Sequence, residues 1–283
     1  METLPAIPVI PAAEFYHLLC ILLPLKPAAM KKLTRQIVLM AALALLASGL
    51  VSVNKAPRFR VFVTLSKAKD HLKMMAAAKP FLEKLADQKG FAIDISDDTA
   101  RINDASLAHY EVFIQLQQAP FDLSYSQQDA IRKFVEEGKG WVGIHAAGLP
   151  GKSFVGGGKK YWQWYEDFLG GISYSPHPAY QKGVLVVEDS SHPVMKDLPA
   201  RFEVPDEWYE FDKSPRPNVH VLAVADESSY HQNKPMGDHP IIWTNEKYRR
   251  MVYIGIGHDP SLCQDRNYSR LISNAILWAA ERQ

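Results

Sequence analysis

The chain is organised around the stretch Gly140-Trp141-Val142-Gly143-Ile144-His145-Ala146-Ala147-Gly148. An apolar run of this length, bounded by glycine, is typical of a strand that is buried on both faces of a parallel sheet. Such sheets carry their chemistry just beyond the carboxyl ends of the strands, which is where His145 stands. The small residues after it allow a tight strand-to-helix turn of the nucleophile-elbow kind. An elbow normally presents Ser or Cys, whereas this one presents an imidazole; a structural core histidine is the alternative interpretation.

Strand and helix patterns alternate around this stretch. Strands are predicted at Arg60–Leu65, Phe91–Ile95, Val112–Leu116 and Trp141–Ile144, with helical segments between them. This alternation specifies an α/β fold with a parallel sheet and right-handed crossovers. Ser124 or Ser126 is expected to cap the helix that precedes the last of these strands. Segments 241–243 and 251–256 form a predicted hairpin, which we expect to be an antiparallel pair at one edge of the sheet.

Composition limits the function classes. A chain of 283 residues with 47% hydrophobic residues suffices for one large α/β domain. Lys and Arg number 32 against 31 Asp and Glu, and no basic stripe stands out, so a nucleic-acid partner is not predicted. Cys20 and Cys263 form no Cx₂C pair, which excludes a zinc finger and a disulfide-stapled fold.

Two segments precede the predicted domain, which covers residues 58–283. Residues 1–29 are rich in proline and apolar residues without a clear period, and we interpret them as a non-native or unstructured leader. Residues 30–53 contain a basic start, an apolar segment and small residues near a cleavage point, as in a bacterial secretory signal. We therefore expect a periplasmic or secreted protein with no stable membrane insertion after cleavage. An uncleaved membrane anchor is the alternative.

Histidines follow the ends of three predicted strands. His71 comes after the first strand, His145 after the fourth and His258 after the hairpin. Because the carboxyl ends of parallel strands share one edge, we expect these side chains and Glu207 to converge on one pocket. Such a cluster suits acid–base catalysis, or a site for a divalent metal such as zinc held by the three imidazoles. The alternative is that His71 and His258 face solvent on unrelated loops.

A set of short motifs occurs in order along the chain: Gly143-Ile144-His145-Ala146-Ala147, Ser175-Pro176-His177-Pro178, Ser191-His192-Pro193, Asp206-Glu207-Trp208-Tyr209, Asp238-His239-Pro240-Ile241-Ile242-Trp243, Gly257-His258-Asp259 and Ile276-Leu277-Trp278-Ala279. From about Arg60 to the C-terminus, the chain resembles the ThuA-like family, named for trehalose utilisation. The family is similar in fold to class I glutamine amidotransferase domains, so the resemblance implies a flavodoxin-like, mostly parallel sheet with helices on both faces. One departure is Pro176, which stands where the family usually has glycine.

The resemblance implies that His145 replaces the amidotransferase cysteine, which argues against glutamine hydrolysis. It also implies a carbohydrate context, such as trehalose or its oxidised keto forms. We therefore predict an exported hydrolase, lyase or isomerase of sugar catabolism. In it, His145 and Glu207 shuttle protons, while His71 and His258 orient the substrate or help to hold a metal. A non-catalytic carbohydrate-binding or sensing domain is the main alternative, and a homodimeric scaffold is another.

Several side chains are predicted to contact the sugar. Exposed aromatic rings can stack on the apolar face of a pyranose, and this role is assigned to Trp164, Trp208 and Trp243. The remaining candidates for the wall of the pocket are His177, Asp206, Tyr209 and Asp259.

Overall fold

The computed structural model describes residues 56–150 and 161–281. The chain divides into a unit of residues 1–55 and a unit of residues 56–283. The predicted leader and signal peptide therefore lie outside the described residues. Among the described residues, no helix combines the length and the apolar character needed to cross a membrane.

Strands and helices alternate through the first half of the domain, and strands dominate the second. The strands are β1 Arg60–Leu65, β2 Ala92–Ser96, β3 Val112–Leu116, β4 Gly140–Ile144, β5 Tyr174–Ser175, β6 Gln181–Val187, β7 Arg201–Asp206, β8 Glu210–Phe211, β9 His220–Asp226, β10 Pro240–Thr244 and β11 Met251–Ile254. The α-helices are α1 Leu72–Lys89, α2 Asp104–Leu107, α3 Tyr125–Glu136, α4 Gln163–Phe168 and α5 Arg266–Ala279.

Nine strands form one sheet in the order β2-β1-β3-β4-β11-β10-β9-β6-β7. The first five of these are mutually parallel. From β11 outward, every neighbouring pair is antiparallel. The parallel part follows the flavodoxin-like order and contains all four predicted parallel strands, so the predicted fold class is confirmed. Strands β5 and β8 pair separately.

The hairpin prediction is correct in pairing and wrong in position. Strands β10 and β11 are antiparallel, as expected. They do not lie at an edge, because β11 pairs with β4 on its other side and the sheet continues beyond β10 through β9, β6 and β7. The hairpin therefore joins the parallel half of the sheet to the antiparallel half.

Alternation of side chains along the strands divides the core between the two faces of the sheet. From β1, Val61 and Val63 enter one buried cluster, which also contains the apolar faces of α1 and α5. Phe62 points to the other cluster, which contains residues of α3 and α4. Helices thus cover both faces of the parallel half, as a sheet with apolar side chains on both faces requires.

The direction of β7 matters for the site. Four antiparallel steps separate β7 from β11, so the two strands run in the same direction. The carboxyl end of β7 therefore faces the same edge of the sheet as the ends of β1, β4 and β11. The sequence pattern predicted no strand before Glu207; in the structure, Glu207 directly follows one.

Helix α3 begins with a capping box that settles which serine caps it. The Ser124 hydroxyl accepts a bond from the backbone N–H of Gln127 at 3.4 Å, and the Gln127 side chain accepts one from the backbone N–H of Ser124 at 2.8 Å. Ser126 lies inside the first turn of the helix.

We expect Ser124→Ala to lower the free energy of unfolding by about 1 kcal/mol, because it leaves a helix N-terminal N–H without its partner. Urea unfolding of the purified protein measures this change. Ser126→Ala is the matched control and should stay within about 0.5 kcal/mol of the wild type. Equal losses in the two variants would contradict the assignment of the cap.

Candidate functional site

His145 stands at the turn that follows β4. Its backbone has φ of +51°, a left-handed conformation that is uncommon for a residue other than glycine. The side chain is fully buried, and its Nδ1 donates a hydrogen bond to the Gly255 carbonyl at 3.1 Å. This bond fixes the ring and leaves Nε2 without a hydrogen-bond partner. Strained backbone of this kind is concentrated at functional sites.

The other two predicted histidines lie beside it. His71 directly precedes α1, and its Nδ1 lies 3.0 Å from the Ser66 hydroxyl. His258 follows β11, and its Nδ1 is buried without a hydrogen-bond partner. The ring centroid of His145 lies 6.0 Å from that of His71 and 5.3 Å from that of His258. The predicted convergence of the three imidazoles is therefore confirmed, and one nitrogen of each lies within 4.8 Å of the others.

Glu207 reaches over these histidines from the end of β7. Its Oε2 lies 3.5 Å from Nε2 of His145 and 3.2 Å from Nδ1 of His258. The same oxygen lies 3.5 Å from Nε2 of His177. One carboxylate oxygen thus faces three imidazole nitrogens at the edge of the sheet.

Burial decides the charge of the imidazoles. It lowers the pKa of His145 to about 4, and it also lowers the pKa of His71. Burial acts to raise the pKa of Glu207, but contact with His145 and the charges of His258 and His177 outweigh it, so the pKa of this carboxyl is lowered. At neutral pH, His71 and His145 are therefore neutral and Glu207 is ionised. Neutral imidazoles and a carboxylate are groups that can bind a divalent metal ion.

Aromatic stacking forms one wall of the site. The Tyr209 ring lies 4.0 Å from that of His145, and His177 stacks on Tyr209 at 5.1 Å with an interplanar angle of 20°. The His177 side chain is 23% exposed and that of Glu207 is 21% exposed, so both are open to solvent. Despite the departure at Pro176, the loop after β5 brings His177 to the predicted place. Asp259 is adjacent to His258 in the chain, and its carboxylate caps the turn at residues 260–264.

Four predicted sugar contacts, Trp208, Trp243, Tyr209 and Asp206, are buried in this structure, and a fifth is partly covered. Trp208 and Trp243 are fully buried, so the expectation that their rings are exposed is wrong. The first stacks on a tyrosine, and the second packs among the aromatic residues beneath the sheet. Trp164 stacks on Phe168 at 4.9 Å, so one of its faces is covered. The Asp206 carboxylate is fully buried and accepts bonds from backbone N–H groups.

Ser66 supports the site and was not predicted from the sequence. Its hydroxyl contacts Nδ1 of His71 and also accepts a bond from the Ala68 N–H at 3.2 Å. A serine in the loop after a strand is common, and its distance from His71 in the fold is not visible in the sequence.

Comparison with known proteins places this geometry in a family. A profile of the ThuA family, described as trehalose utilisation, matches residues 60–279. The chain belongs to the ThuA family. A solved structure of a ThuA-like protein from Bacteroides uniformis is 33% identical, with a TM-score of 0.70 over 80% of this chain and 92% of that chain. A search of curated proteins found no match.

Two more distant structures show the shared fold. A ThuA-like protein from Parabacteroides merdae is 15% identical, with a TM-score of 0.58 over 78% of this chain and 88% of that chain. A GMP synthase protein from Thermoplasma acidophilum is 14% identical, with a TM-score of 0.51 over 79% of this chain and 94% of that chain. The ThuA domain thus shares the fold of class I glutamine amidotransferases.

The ThuA domain carries no thiol at its elbow. The cysteine among the described residues is Cys263, whose Sγ lies 3.8 Å from Sδ of Met74. Burial raises the pKa of this thiol to about 11, so it is protonated at neutral pH and is a poor nucleophile. The group at the elbow is instead the His145 imidazole.

Proposed function

We propose that this ThuA family protein is a metal-dependent enzyme that acts on a small carbohydrate. The observation that carries the proposal is the meeting of His145 Nε2, His258 Nδ1 and Glu207 Oε2, with the oxygen 3.5 and 3.2 Å from the two nitrogens. Neither nitrogen has a hydrogen-bond partner. The Nδ1–H of His145 is bonded to the Gly255 carbonyl, so the neutral ring presents the lone pair of Nε2 to the carboxylate oxygen, and a cation between the two atoms removes the repulsion.

The spacing of these atoms fits a metal ion. Zinc bonds of about 2.0–2.2 Å in a tetrahedral arrangement place neighbouring ligand atoms roughly 3.3–3.6 Å apart. His145, His258 and Glu207 would supply three ligands. The fourth position would stay open for an oxygen of the substrate, as in catalytic zinc sites, and His71 would line it. The bond from His145 to Gly255 is the supporting interaction that a metal-binding histidine requires, and the contact with Ser66 fixes the ring of His71.

The roles of the residues follow from their exposure. When bound, a divalent metal would polarise a carbonyl or hydroxyl oxygen of the substrate. His71 and His145 are buried and hold the site in shape. His177 is partly exposed beside the proposed ligand Glu207 and is the group in position to exchange a proton with a bound molecule.

The substrate class rests on the family. The ThuA family is described by trehalose utilisation, which supports a disaccharide or its oxidised keto form as the ligand. A metal beside a proton-transferring imidazole suits hydrolysis, elimination or isomerisation next to a carbonyl. His177, which stacks on the buried Tyr209 ring and is itself 23% exposed, replaces the predicted tryptophans as the aromatic surface nearest to the site.

Metal binding is the first test. After treatment with a chelator, the protein should take up one Zn²⁺ per chain in a calorimetric titration, and excess Zn²⁺ should raise its melting temperature. We expect His258→Asn to weaken this binding by more than the roughly 10–100-fold that the loss of a supporting residue costs.

The matched control for this titration is His220→Asn. His220 lies at the start of β9, where its Nε2 is 2.8 Å from the Asp189 carboxylate, and it is not part of the histidine cluster. Its replacement should leave Zn²⁺ affinity unchanged. Equal affinity in the wild type and in His258→Asn would show that the cluster is not a metal site.

Turnover is the second test. We expect the wild type with metal to convert at least one member of a panel of disaccharides and their keto derivatives, and His145→Asn to lose at least about 100-fold in kcat/KM because it removes a ligand. Asparagine is chosen because it tolerates the left-handed backbone at this position. Sugar binding without turnover in the metal-loaded wild type would favour a binding or sensing domain.

We also propose export, on the basis of the sequence of residues 30–53. The basic start, apolar segment and small residues predict signal cleavage. N-terminal sequencing of protein secreted by a bacterial host should find a mature end between about Ser48 and Ala56. An intact cytosolic chain that begins at Met1 would contradict the proposal.

A further inference from the structure

We propose that two buried side chains, Asp206 and Gln117, fix the relative positions of His258 and Glu207. Asp206 accepts a hydrogen bond from the Gly257 N–H, and Gln117 donates one to the Gly257 carbonyl. We call this pair the Gly257 clamp. The inference rests on the proposed function in one respect, since it treats His258 as a working residue of the site. Neither member of the clamp touches a ligand; both are positioning residues.

Asp206 supplies one half of the clamp. Its carboxylate is fully buried at the end of β7 and accepts the Gly257 N–H at 2.6 Å. It also accepts the His258 N–H, which lies 3.2 Å from each oxygen, and the Glu207 N–H at 2.7 Å. One carboxylate therefore fixes the backbone of both Glu207 and His258, whose side chains meet 3.2 Å apart.

Gln117 supplies the other half. It follows β3 with φ of +54°, and its side chain is fully buried. Its Nε2 donates a hydrogen bond to the Gly257 carbonyl. Its backbone N–H is bonded to the Ile144 carbonyl at 3.1 Å, directly before His145. Gln117 thus ties the His258 loop to the strand end that carries His145.

Gly257 is the residue that allows this close approach. Its φ is +144°, and a Cβ at this position would lie 2.5 Å from Cγ2 of Ile144 and 3.6 Å from Cβ of His145. The Gly257 backbone therefore packs directly against Ile144 and His145 and leaves no room for a side chain. The Gly257 N–H is bonded to Asp206 and its carbonyl to Gln117, so the loop can move His258 away only by breaking both hydrogen bonds.

The positions of the bonds separate this role from general stabilisation. Strands β7 and β11 are separated by three other strands, so no ladder hydrogen bonds connect them. A buried carboxylate is costly unless it is fully hydrogen-bonded, and this one takes its bonds from the backbone of two site residues. The link joins the two parts of the chain whose side chains form the site.

The test compares three variants. Asp206→Asn replaces one of the two acceptor oxygens by an NH2 donor, which must then face the N–H of either Gly257 or Glu207. Gln117→Leu keeps the size of the side chain and removes the donor. The matched control is Glu210→Gln, because Glu210 is also fully buried and its carboxylate accepts the N–H groups of Asn233 at 2.7 Å and Lys234 at 2.8 Å, away from Gly257.

The first readout is the set of histidine ring signals in ¹H–¹⁵N spectra of the metal-free protein. We expect Asp206→Asn and Gln117→Leu to shift or broaden the His258 signals, while Glu210→Gln leaves them at their wild-type positions. This readout does not depend on the metal, so it decides the inference even if the wild type binds no Zn²⁺ and the proposed function fails.

The second readout is Zn²⁺ affinity. Loss of either half of the clamp should weaken Zn²⁺ binding by roughly 10–100-fold, as loss of a supporting residue does, with less change in Glu210→Gln. Unchanged His258 signals in both clamp variants would overturn the inference. So would unfolding of both variants under conditions where Glu210→Gln stays folded, because the pair would then serve the fold and not the site.

Discussion

The lone pair of His145 Nε2, which faces the Glu207 carboxylate, is the constraint on which the site depends. The carboxylate oxygen lies within 3.5 Å of a nitrogen of His145, His177 and His258, and burial keeps His145 neutral. Water could separate such groups at a surface, but the His145 nitrogen is buried and has no hydrogen-bond partner. A positive charge in the middle, carried by a metal ion or by shared protons, is what makes this packing favourable. The proposed ligand set fits these charges, because at neutral pH neither His145 nor Glu207 holds a proton that a metal ion would have to displace.

The sheet makes this arrangement possible by bringing separate strand ends to one edge. His71, His145 and His258 follow β1, β4 and β11, which are parallel. Glu207 arrives from β7, four strands further along the sheet than β11, and it reaches the same edge because an even number of antiparallel steps restores the strand direction. The antiparallel half of the sheet is therefore part of the site and not an addition to it, since it delivers the carboxylate that faces His145 and His258.

The sequence predicted the parallel half of the fold and the meeting of the histidines because both depend on local signals. Apolar runs bounded by glycine mark strands, and a histidine after such a run is placed at the sheet edge by topology alone. The errors share a different cause. Trp208 and Trp243 belong to motifs of the family, yet their exposure depends on which residues pack on them, and the structure buries both. Asp206 and Glu207 are adjacent and chemically similar, but one accepts backbone N–H groups inside the protein and the other faces the site. Gln117 carries no sequence signal, because its role depends on a contact 140 residues away along the chain.

A histidine at an elbow needs different surroundings from a cysteine nucleophile. A thiolate acts alone as a nucleophile once its pKa is lowered, so it needs one base and a strained turn. A neutral imidazole at the same place is a ligand or a base and gains its function from the groups that face it. The turn at His145 keeps the left-handed backbone of an elbow, and around it the chain places further histidines, a carboxylate and buried polar side chains that fix the backbone. The left-handed turn thus aims His145 Nε2 at the Glu207 carboxylate, and the proposed metal-dependent chemistry would use the geometry that the amidotransferase-like sheet supplies.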